Sequence, residues 1–511
     1  MTLSTNTSAI CPQAIPDWMC TETITWENDW RTEDVKEQIV QMCKLGMDKL
    51  LNDPRQTEDC LTLDLFVPQG VFEGENCPGT APLAPVVIFL GHSLPFVSGH
   101  KNEFTADGVS PAVLTSHAAN EDPCGTDFPV VVAINSRLGL FGFFGDHASS
   151  ANAGLWDQRL AMEWVHAHIE SFGGDPNRIT IHGVGPSTML HVTAFAGRKN
   201  PNPAFYHPEA YTPFSSGIVM TPYWDFTPDP VWIFQRVSSV VYEVSRRITL
   251  AADHIRALDS ATLMEVNRRV TKAAPSLKFM FGPTIGGDFI PYHPGVMFRE
   301  RLLNDSIQIV TGSGFNDMWG MPKRATSREE VDAQLSSFLY GFSNTTLEFI
   351  EKQLYNDSVR EELVNRDGPT LAAAPDFVVL SEAQILQEIQ VGCNIRNLAQ
   401  ALPNSTYVYD AGQMSVENLL GIFRFPEDQH GAFSHGLFNF RQSLLNFIQG
   451  REPLPGVWEV YGQDKTVLHT GSSPTWGRIW LARDIYDNER CRWWQEEGYD
   501  KLREESPGYW L

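Results

Sequence analysis

The sequence predicts an α/β fold, in which a central, mostly parallel and twisted sheet carries helices on both faces. Two continuous apolar runs, Pro85 to Leu90 and Phe128 to Asn135, are typical of strands that are buried on both sides. Residues 155 to 169 then repeat apolar side chains at helical spacing, as a helix packed on a sheet does. Buried strands that alternate with amphipathic helices are the pattern of a parallel sheet.

The other elements extend this pattern along the chain. No internal repeat and no Pro/Gly/Ser-rich linker interrupts residues 1–511, so we predict a single domain enlarged by helical insertions. The further predicted strands are 60–67, 179–182, 217–221, 307–311 and 407–409, and the mainly helical segments are 32–51, 227–277 and 327–402.

The charge of the chain argues against several classes of partner. The 511 residues contain 38 Lys and Arg against 62 Asp and Glu, which gives a formal net charge of −24. Nucleic acids and anionic membrane surfaces are bound through basic patches, so neither is expected as a partner. No run of about 18 apolar residues occurs, and no membrane-spanning helix is predicted.

The start of the chain and its cysteines bear on the compartment. Met1 to Ile10 lacks the basic and apolar regions of a signal peptide, which favours the cytoplasm for the chain as written, or secretion if its natural N-terminus is longer. Six of the eight cysteines precede residue 125, which favours an oxidising compartment instead. None forms a CxxC pair, so we predict no metal site and no cofactor.

The stretch from Gly183 to Ser187 reads Gly-Val-Gly-Pro-Ser and joins a short β-branched strand to an expected helix. A nucleophile elbow has this order, with G-x-S-x-G placing a serine on a tight strand-to-helix turn. Gly185 occupies the serine position here and has no side chain with which to attack a substrate. Ser187 lies two positions on, and we interpret it as the N-cap of the helix, with a displaced nucleophile as the alternative.

Four longer motifs follow one another in order and identify a family. Together they resemble the type-B carboxylesterase/cholinesterase family of α/β-hydrolases, and its fungal members in particular. The resemblance implies an α/β-hydrolase fold without the family's N-terminal strands, because this chain begins ten residues before the matching Cys11-Pro-Gln13. The four motifs are EDCLTL at 58–63, NSRLGLFG at 135–142, NAGLWDQ at 152–158 and FGGDPNR at 172–178.

The resemblance also implies a catalytic triad of Ser, His and Glu, which this chain keeps only in part. His430, followed by Gly431, matches the family's histidine base. Asp317 stands at the position of the acid, where the family has Glu, and it is expected to orient His430. Thr221 stands where the family places a hydroxyl near the acid. The serine position is Gly185, so the triad is degenerate.

The family's oxyanion loop, His-Gly-Gly-Gly-Phe, reads His92-Ser93-Leu94-Pro95-Phe96 here. Glycines allow backbone N–H groups to approach a ligand, and proline has no N–H to donate. We therefore expect this oxyanion hole to be impaired independently of the missing serine. The expected substrate-binding residues are His92, Ser93, Leu94, Val184, Gly185 and Pro186.

Three further expectations concern neighbouring side chains. By resemblance, Cys11 and Cys60 form the family's early disulfide, and Arg137 pairs with Asp175. His92 and His182 both stand at the carboxyl ends of predicted strands, where α/β sheets place ligands. Each is either a proton-transfer group at the pocket mouth or a histidine satisfied by its neighbours.

The selective loss of the acyl-transfer groups predicts a repurposed pocket. The first hypothesis is that serine ester hydrolysis has been lost and that the gorge binds a small hydrophobic or ester-like molecule. Such a protein fits non-hydrolytic chemistry of secondary metabolism, with His430 and Asp317 as an acid/base pair. The alternatives are a residual or divergent ester hydrolase, and a pseudoenzyme that only binds partners, as in the neuroligin-like branch. Substrate and oligomeric state are left open.

Overall fold

The computed structural model of the protein describes most of the chain, in fifteen stretches. These are residues 9–20, 33–73, 82–91, 96–101, 128–145, 151–194, 212–224, 230–274, 279–285, 289–314, 328–339, 341–365, 384–411, 433–470 and 479–505.

Nine strands of the described chain form one sheet in the order β1-β3-β2-β4-β5-β6-β7-β8-β9. Neighbouring strands from β3 to β8 are parallel, and the outer strands β1 and β9 pair antiparallel with β3 and β8. The predicted mostly parallel sheet is confirmed. The strands are β1 Leu63–Phe66, β2 Ala84–Phe89, β3 Val130–Ile134, β4 Gly174–Val184, β5 Ser216–Met220, β6 Gln308–Ser313, β7 Thr406–Asp410, β8 Thr466–Thr470 and β9 Ile479–Arg483.

Helices pack on the sheet and also form most of the connections between its strands. They are α1 Glu33–Leu51, α2 Gln69–Glu73, α3 Gly139–Phe143, α4 Ala153–His168, α5 Pro186–Ala194, α6 Pro230–Ser245, α7 Ala252–Arg256, α8 Ser260–Lys272, α9 Pro294–Arg299, α10 Arg328–Phe338, α11 Asn344–Phe349, α12 Asp357–Asn365, α13 Cys393–Ala401, α14 Phe433–Ile448, α15 Glu489–Trp493 and α16 Tyr499–Glu505. A 3-10 turn, Ile169–Phe172, follows α4, and π-helical segments occupy Ile350–Leu354, Glu388–Gly392 and Trp494–Gly498.

The two faces of the sheet bury alternate side chains of each strand, as the two-residue period of a strand requires. In β2, Val86 and Ile88 belong to the larger cluster, which includes residues of α4, α6 and α8. Val87 and Phe89 belong to the opposite cluster, which is formed with α14. Burying each of these side chains contributes about 1.5–3 kcal/mol, so the continuous apolar run at 85–90 reflects a strand packed on both sides.

Strands β8 and β9 were not predicted from the sequence. β9 is half-buried or exposed at all five positions, and β8 mixes Thr and His with Val and Leu. Neither strand therefore has the continuous apolar run by which the inner strands were found.

Disulfides join six of the described cysteines. The predicted Cys11–Cys60 bond is present, with Cα atoms 5.0 Å apart. Two further bonds were not predicted, because disulfide connectivity cannot be deduced from sequence alone. They are Cys20–Cys43 and Cys393–Cys491.

A buried ion pair between Glu388 and Arg490 holds the C-terminal helices in place beside the Cys393–Cys491 disulfide. The Glu388 side chain is fully buried, and Arg490 donates two hydrogen bonds to it, Nε to Oε1 at 2.6 Å and Nη2 to Oε2 at 2.8 Å. Asn488 Nδ2 donates a third bond to Glu388 Oε2 at 3.1 Å. A buried carboxylate is stable only when its oxygens are paired in this way.

We expect Glu388→Gln to lower the free energy of unfolding by about 3 kcal/mol, because it removes the buried counter-charge of Arg490 and leaves only the exposed Glu362, 3.7 Å away. Urea unfolding under non-reducing conditions measures the change. The matched control is Glu265→Gln, which removes the carboxylate of an exposed ion pair with Arg269. That change is expected to cost less than about 1 kcal/mol. Equal losses in the two variants would contradict the role given to Glu388.

Candidate functional site

The predicted elbow is present as a backbone turn. Strand β4 ends at Val184, α5 begins at Pro186, and Gly185 between them has a φ of 77°. Its N–H donates to the carbonyl oxygen of Met220 at the end of β5, at 2.9 Å. A left-handed φ at this point is the strained strand-to-helix geometry of a nucleophile elbow. The turn therefore keeps its shape while its central residue has no side chain.

Pro186 directly follows the turn residue Gly185 and begins α5. In a nucleophile elbow, the backbone N–H of the residue after the nucleophile is one of the oxyanion donors. Proline has no N–H, although its fixed φ suits the first position of a helix. Pro186 is visible in the sequence. The expectation of an impaired oxyanion hole, however, rested on residues 93–95 alone. The position after Gly185 thus has no backbone N–H to donate.

Ser187 is the second residue of α5 and is 2% exposed. The helix begins one residue earlier, so the interpretation of Ser187 as the N-cap is wrong. Its burial inside the first helical turn also opposes the role of a displaced nucleophile. Packing at the turn is tight, because a Cβ on Gly183 would lie 2.8 Å from Thr188 Oγ1.

His182 is a core histidine and does not lie at a pocket mouth. It lies opposite Phe89 of β2 and Ile218 of β5 in the sheet register, and it is 2% exposed. Its ring centroid lies 4.8 Å from that of Phe89. Burial lowers the pKa of His182 to about 4, so the imidazole is neutral at pH 7. Two alternatives were given for His182. A histidine satisfied by its neighbours fits this buried position, and a proton-transfer group at the pocket mouth does not.

A second buried histidine lies behind the elbow and was not singled out from the sequence. His191 of α5 is fully buried, and its Nε2 is 2.9 Å from Gln158 Oε1 of α4. Burial, together with the nearby Arg159 guanidinium, lowers the pKa of His191 to about 3. The contact between His191 and Gln158 joins the elbow helix to α4.

The expected pairing of Arg137 with Asp175 is wrong. Arg137 instead donates to both oxygens of Asp157 in α4, Nε to Oδ2 at 2.7 Å and Nη2 to Oδ1 at 2.6 Å. Asp175 accepts from its neighbour Arg178 at 2.8 Å. The Asp157 carboxylate raises the pKa of the Arg137 guanidinium. The planar guanidinium suits this bidentate arrangement, which fixes the loop after β3 against α4.

The acid and base positions follow β6 and β7, which lie two and three strands from β4 in the sheet. β6 ends at Ser313, four residues before Asp317 in the sequence, and β7 ends at Asp410, before His430. Thr221 lies at the end of β5, is 4% exposed, and donates its N–H to the carbonyl oxygen of Gly312 at 2.8 Å.

Part of the predicted site lies outside the described residues. His92, Ser93, Leu94, Asp317 and His430 belong to that part, and their roles stay predictions. Within the stretches that are described, no group of three or more His, Cys, Asp or Glu side chains is placed to hold a metal ion. No described helix is both long and apolar enough to cross a membrane.

We expect His191→Gln to reduce the acid sensitivity of the fold. A depressed histidine pKa means that the unfolded chain binds the proton first, so stability is complete above about pH 6.5 and falls as the pH drops toward the folded value. Between pH 7 and pH 5, His191 should account for about 2 kcal/mol of lost unfolding free energy. Urea unfolding at the two pH values measures it. His254→Gln, at an exposed histidine, is the control, and an identical loss in both variants would refute the assignment.

Comparison with known proteins places this geometry among esterases. The carboxylesterase family model matches residues 20–420. The carboxylesterase patB of Penicillium expansum is 25% identical over 95% of this chain and 85% of its own length. The carboxylesterase patB of Aspergillus clavatus is 27% identical over 87% of this chain and 76% of its own length.

A solved structure agrees on the fold. Aspergillus niger EstA superposes with a TM-score of 0.64 at 18% identity, covering 90% of this chain and 86% of that one. The family model, which spans most of the chain, and the elbow-shaped turn on a mostly parallel sheet lead to one assignment. The chain belongs to the carboxylesterase family and has the α/β-hydrolase fold.

Proposed function

We propose that this carboxylesterase-family protein has lost ester hydrolysis through an acyl-serine. It instead uses the family's gorge to bind a small hydrophobic molecule. The observation that carries the proposal is the turn at Gly185 and Pro186, which keeps its backbone shape. At this turn Gly185 has no nucleophilic side chain, and Pro186 has no backbone N–H. Removing one oxyanion donor alone typically costs about 10²–10³ in turnover.

The finer part of the proposal concerns the chemistry that remains. His430 is assigned the role of general acid or base, and Asp317 the role of orienting it. A histidine held by a carboxylate can move a proton in a cyclisation, elimination or isomerisation without an acyl intermediate. Natural-product chemistry of this non-hydrolytic kind is the function we favour. The loss is confined to acyl-transfer groups, which supports a changed use of the gorge over general decay.

Two alternatives remain as outcomes of the tests. A residual hydrolase would need a nucleophile, for which Ser187 is the nearest serine in the sequence, but its burial inside α5 opposes this role. A non-catalytic, neuroligin-like binding protein would need neither His430 nor Asp317.

A fluorophosphonate probe reports on an activated serine. We expect no labelling of the wild-type chain, because Gly185 has no hydroxyl. Gly185→Ser should be labelled weakly, since Pro186 still withholds an oxyanion N–H, and Gly185→Ser with Pro186→Ala should be labelled about 10²–10³ times faster. Labelled protein is quantified by mass spectrometry.

The control for this experiment is Ser187→Ala. Labelling of the wild type that disappears in Ser187→Ala would replace the proposal with a residual hydrolase. Labelling of both serine-restored variants at one rate would contradict the role given to Pro186.

A single ester can separate binding from hydrolysis. We expect p-nitrophenyl butyrate to bind saturably to the purified chain, seen as quenched tryptophan fluorescence, while p-nitrophenol is released no faster than in buffer. His430→Ala should leave this binding within about twofold, because a general base contributes to proton transfer and not to apolar contact. Steady release of p-nitrophenol that His430→Ala abolishes would contradict the proposed loss of hydrolysis.

A further inference from the structure

The turn at residues 402–405, between α13 and β7, presents an asparagine to solvent. The Ser405 N–H donates to the carbonyl oxygen of Leu402 at 3.2 Å, which closes a four-residue turn with Pro403 and Asn404 at its two central positions. Asn404 is exposed there. A large polar group attached to its side chain would therefore extend into solvent.

The sequence at this turn is an acceptor motif for N-linked glycosylation. Asn404-Ser405-Thr406 fits the pattern N-x-[ST], which is short enough to occur by chance in a long chain. Three other matches lie within the described stretches, so the structural surroundings of the four can be compared. The other three begin at Asn304, Asn344 and Asn356.

Thr406 distinguishes the motif at Asn404 from a chance match. It is the first residue of β7 and is fully buried, and its Oγ1 has no hydrogen-bond partner among the described residues. A buried hydroxyl without a partner is destabilising. The hydroxyl therefore adds no bond to this part of the fold. Glycosylation, in contrast, requires it in the unfolded chain, before β7 has formed.

The motifs at Asn304 and Asn356 have different surroundings. Both asparagines are half-buried, and the amide nitrogen that would carry a glycan already donates a hydrogen bond inside the protein. Asn304 Nδ2 donates to Thr212 Oγ1 at 2.9 Å, and Asn356 Nδ2 donates to the carbonyl oxygen of Gln353 at 3.1 Å. A glycan at either position would have to fit beside these contacts.

The motif at Asn344 has an exposed asparagine, but its hydroxyl is used in the folded chain. Thr346 Oγ1 donates to Glu505 Oε1 at 2.7 Å. This bond is a structural reason for a threonine at position 346. Position 406 has no such bond within the described chain.

The disulfides indicate a compartment in which such a motif is modified. Three disulfides, Cys11–Cys60, Cys20–Cys43 and Cys393–Cys491, require an oxidising environment to form and persist. The lumen of the endoplasmic reticulum is such an environment, and N-linked glycans are attached there. Disulfide formation and glycosylation of this chain would then occur in the same place.

We propose that Asn404 is an acceptor site for an N-linked glycan. Asn404 precedes β7, whereas Gly185 follows β4. Because β4 to β7 are parallel, the two positions lie at opposite edges of the sheet. A glycan on Asn404 therefore leaves the side of the elbow uncovered. The site is independent of the function proposed for the gorge, and its failure would leave that function untouched.

The full chain, expressed behind a secretion signal in a eukaryotic host, tests the site. Peptide N-glycosidase F in heavy-oxygen water converts a glycan-bearing Asn into Asp that carries the heavy oxygen, and peptide mass spectrometry locates this label. We expect the label at Asn404 in the wild type and in Thr406→Ser, and its loss in Thr406→Val and Asn404→Gln. Because Thr406 Oγ1 makes no bond, Thr406→Val should unfold at no lower urea concentration than Asn404→Gln, which also lacks the glycan.

Thr311→Val is the matched control for damage to a buried strand. Thr311 of β6 is also fully buried, but its Oγ1 donates to the carbonyl oxygen of Val219 at 3.0 Å. This variant should unfold at a lower urea concentration and keep the label at Asn404. If the chain is retained in the cell, the same peptide is measured in retained protein whose Cys393–Cys491 bond has formed. Two results would each overturn the site: an unlabelled Asn404 in wild-type protein that has this disulfide, or a label that persists in Thr406→Val.

Discussion

Parallel pairing of the inner strands is the constraint on which the rest of this structure depends. Because β2 and β4 to β7 run in one direction, their carboxyl ends meet at one edge of the sheet. Gly185, Thr221 and Ser313 lie at that edge through backbone hydrogen bonds alone. The arrangement of these positions therefore does not depend on which side chain residue 185 carries. The turn at Gly185 is held by the sheet, since its N–H bonds to Met220 of the next strand.

Backbone hydrogen bonds hold the turn at this edge, and no side chain at position 185 is needed for its shape. Gly185 contributes no side chain to the packing of β4 against α5. Pro186 is likewise compatible with a helix start and incompatible only with oxyanion binding. The buried histidines nearby, His182 and His191, are neutral side chains of the core. Titratable residues near the elbow-shaped turn are therefore poor indicators of function unless their exposure is known.

The inner sheet was predictable because each of its strands is buried on both faces, which leaves a continuous apolar run in the sequence. β9 was not predicted because all five of its residues are half-buried or exposed, and β8 was not predicted because only Val467 and Leu468 interrupt its polar residues. The family resemblance gave the wrong partner for Arg137, which pairs with Asp157 of α4 and not with Asp175 of β4. The pairing Cys11–Cys60 followed from family resemblance, whereas Cys393–Cys491 joins segments that no local pattern connects.

The disulfide between Cys393 and Cys491 affects how the C-terminal part of the molecule unfolds locally. It closes a loop with a sequence separation of 98, which in the chain-entropy description removes about 4–5 kcal/mol of disorder from the unfolded ensemble. Together with the Glu388–Arg490 pair, it joins α15 to α13, which packs against β7. The C-terminal helices are thus unable to fray independently, as the ends of many chains do. Their backbone amides should exchange with solvent through the same rare cooperative openings as the sheet.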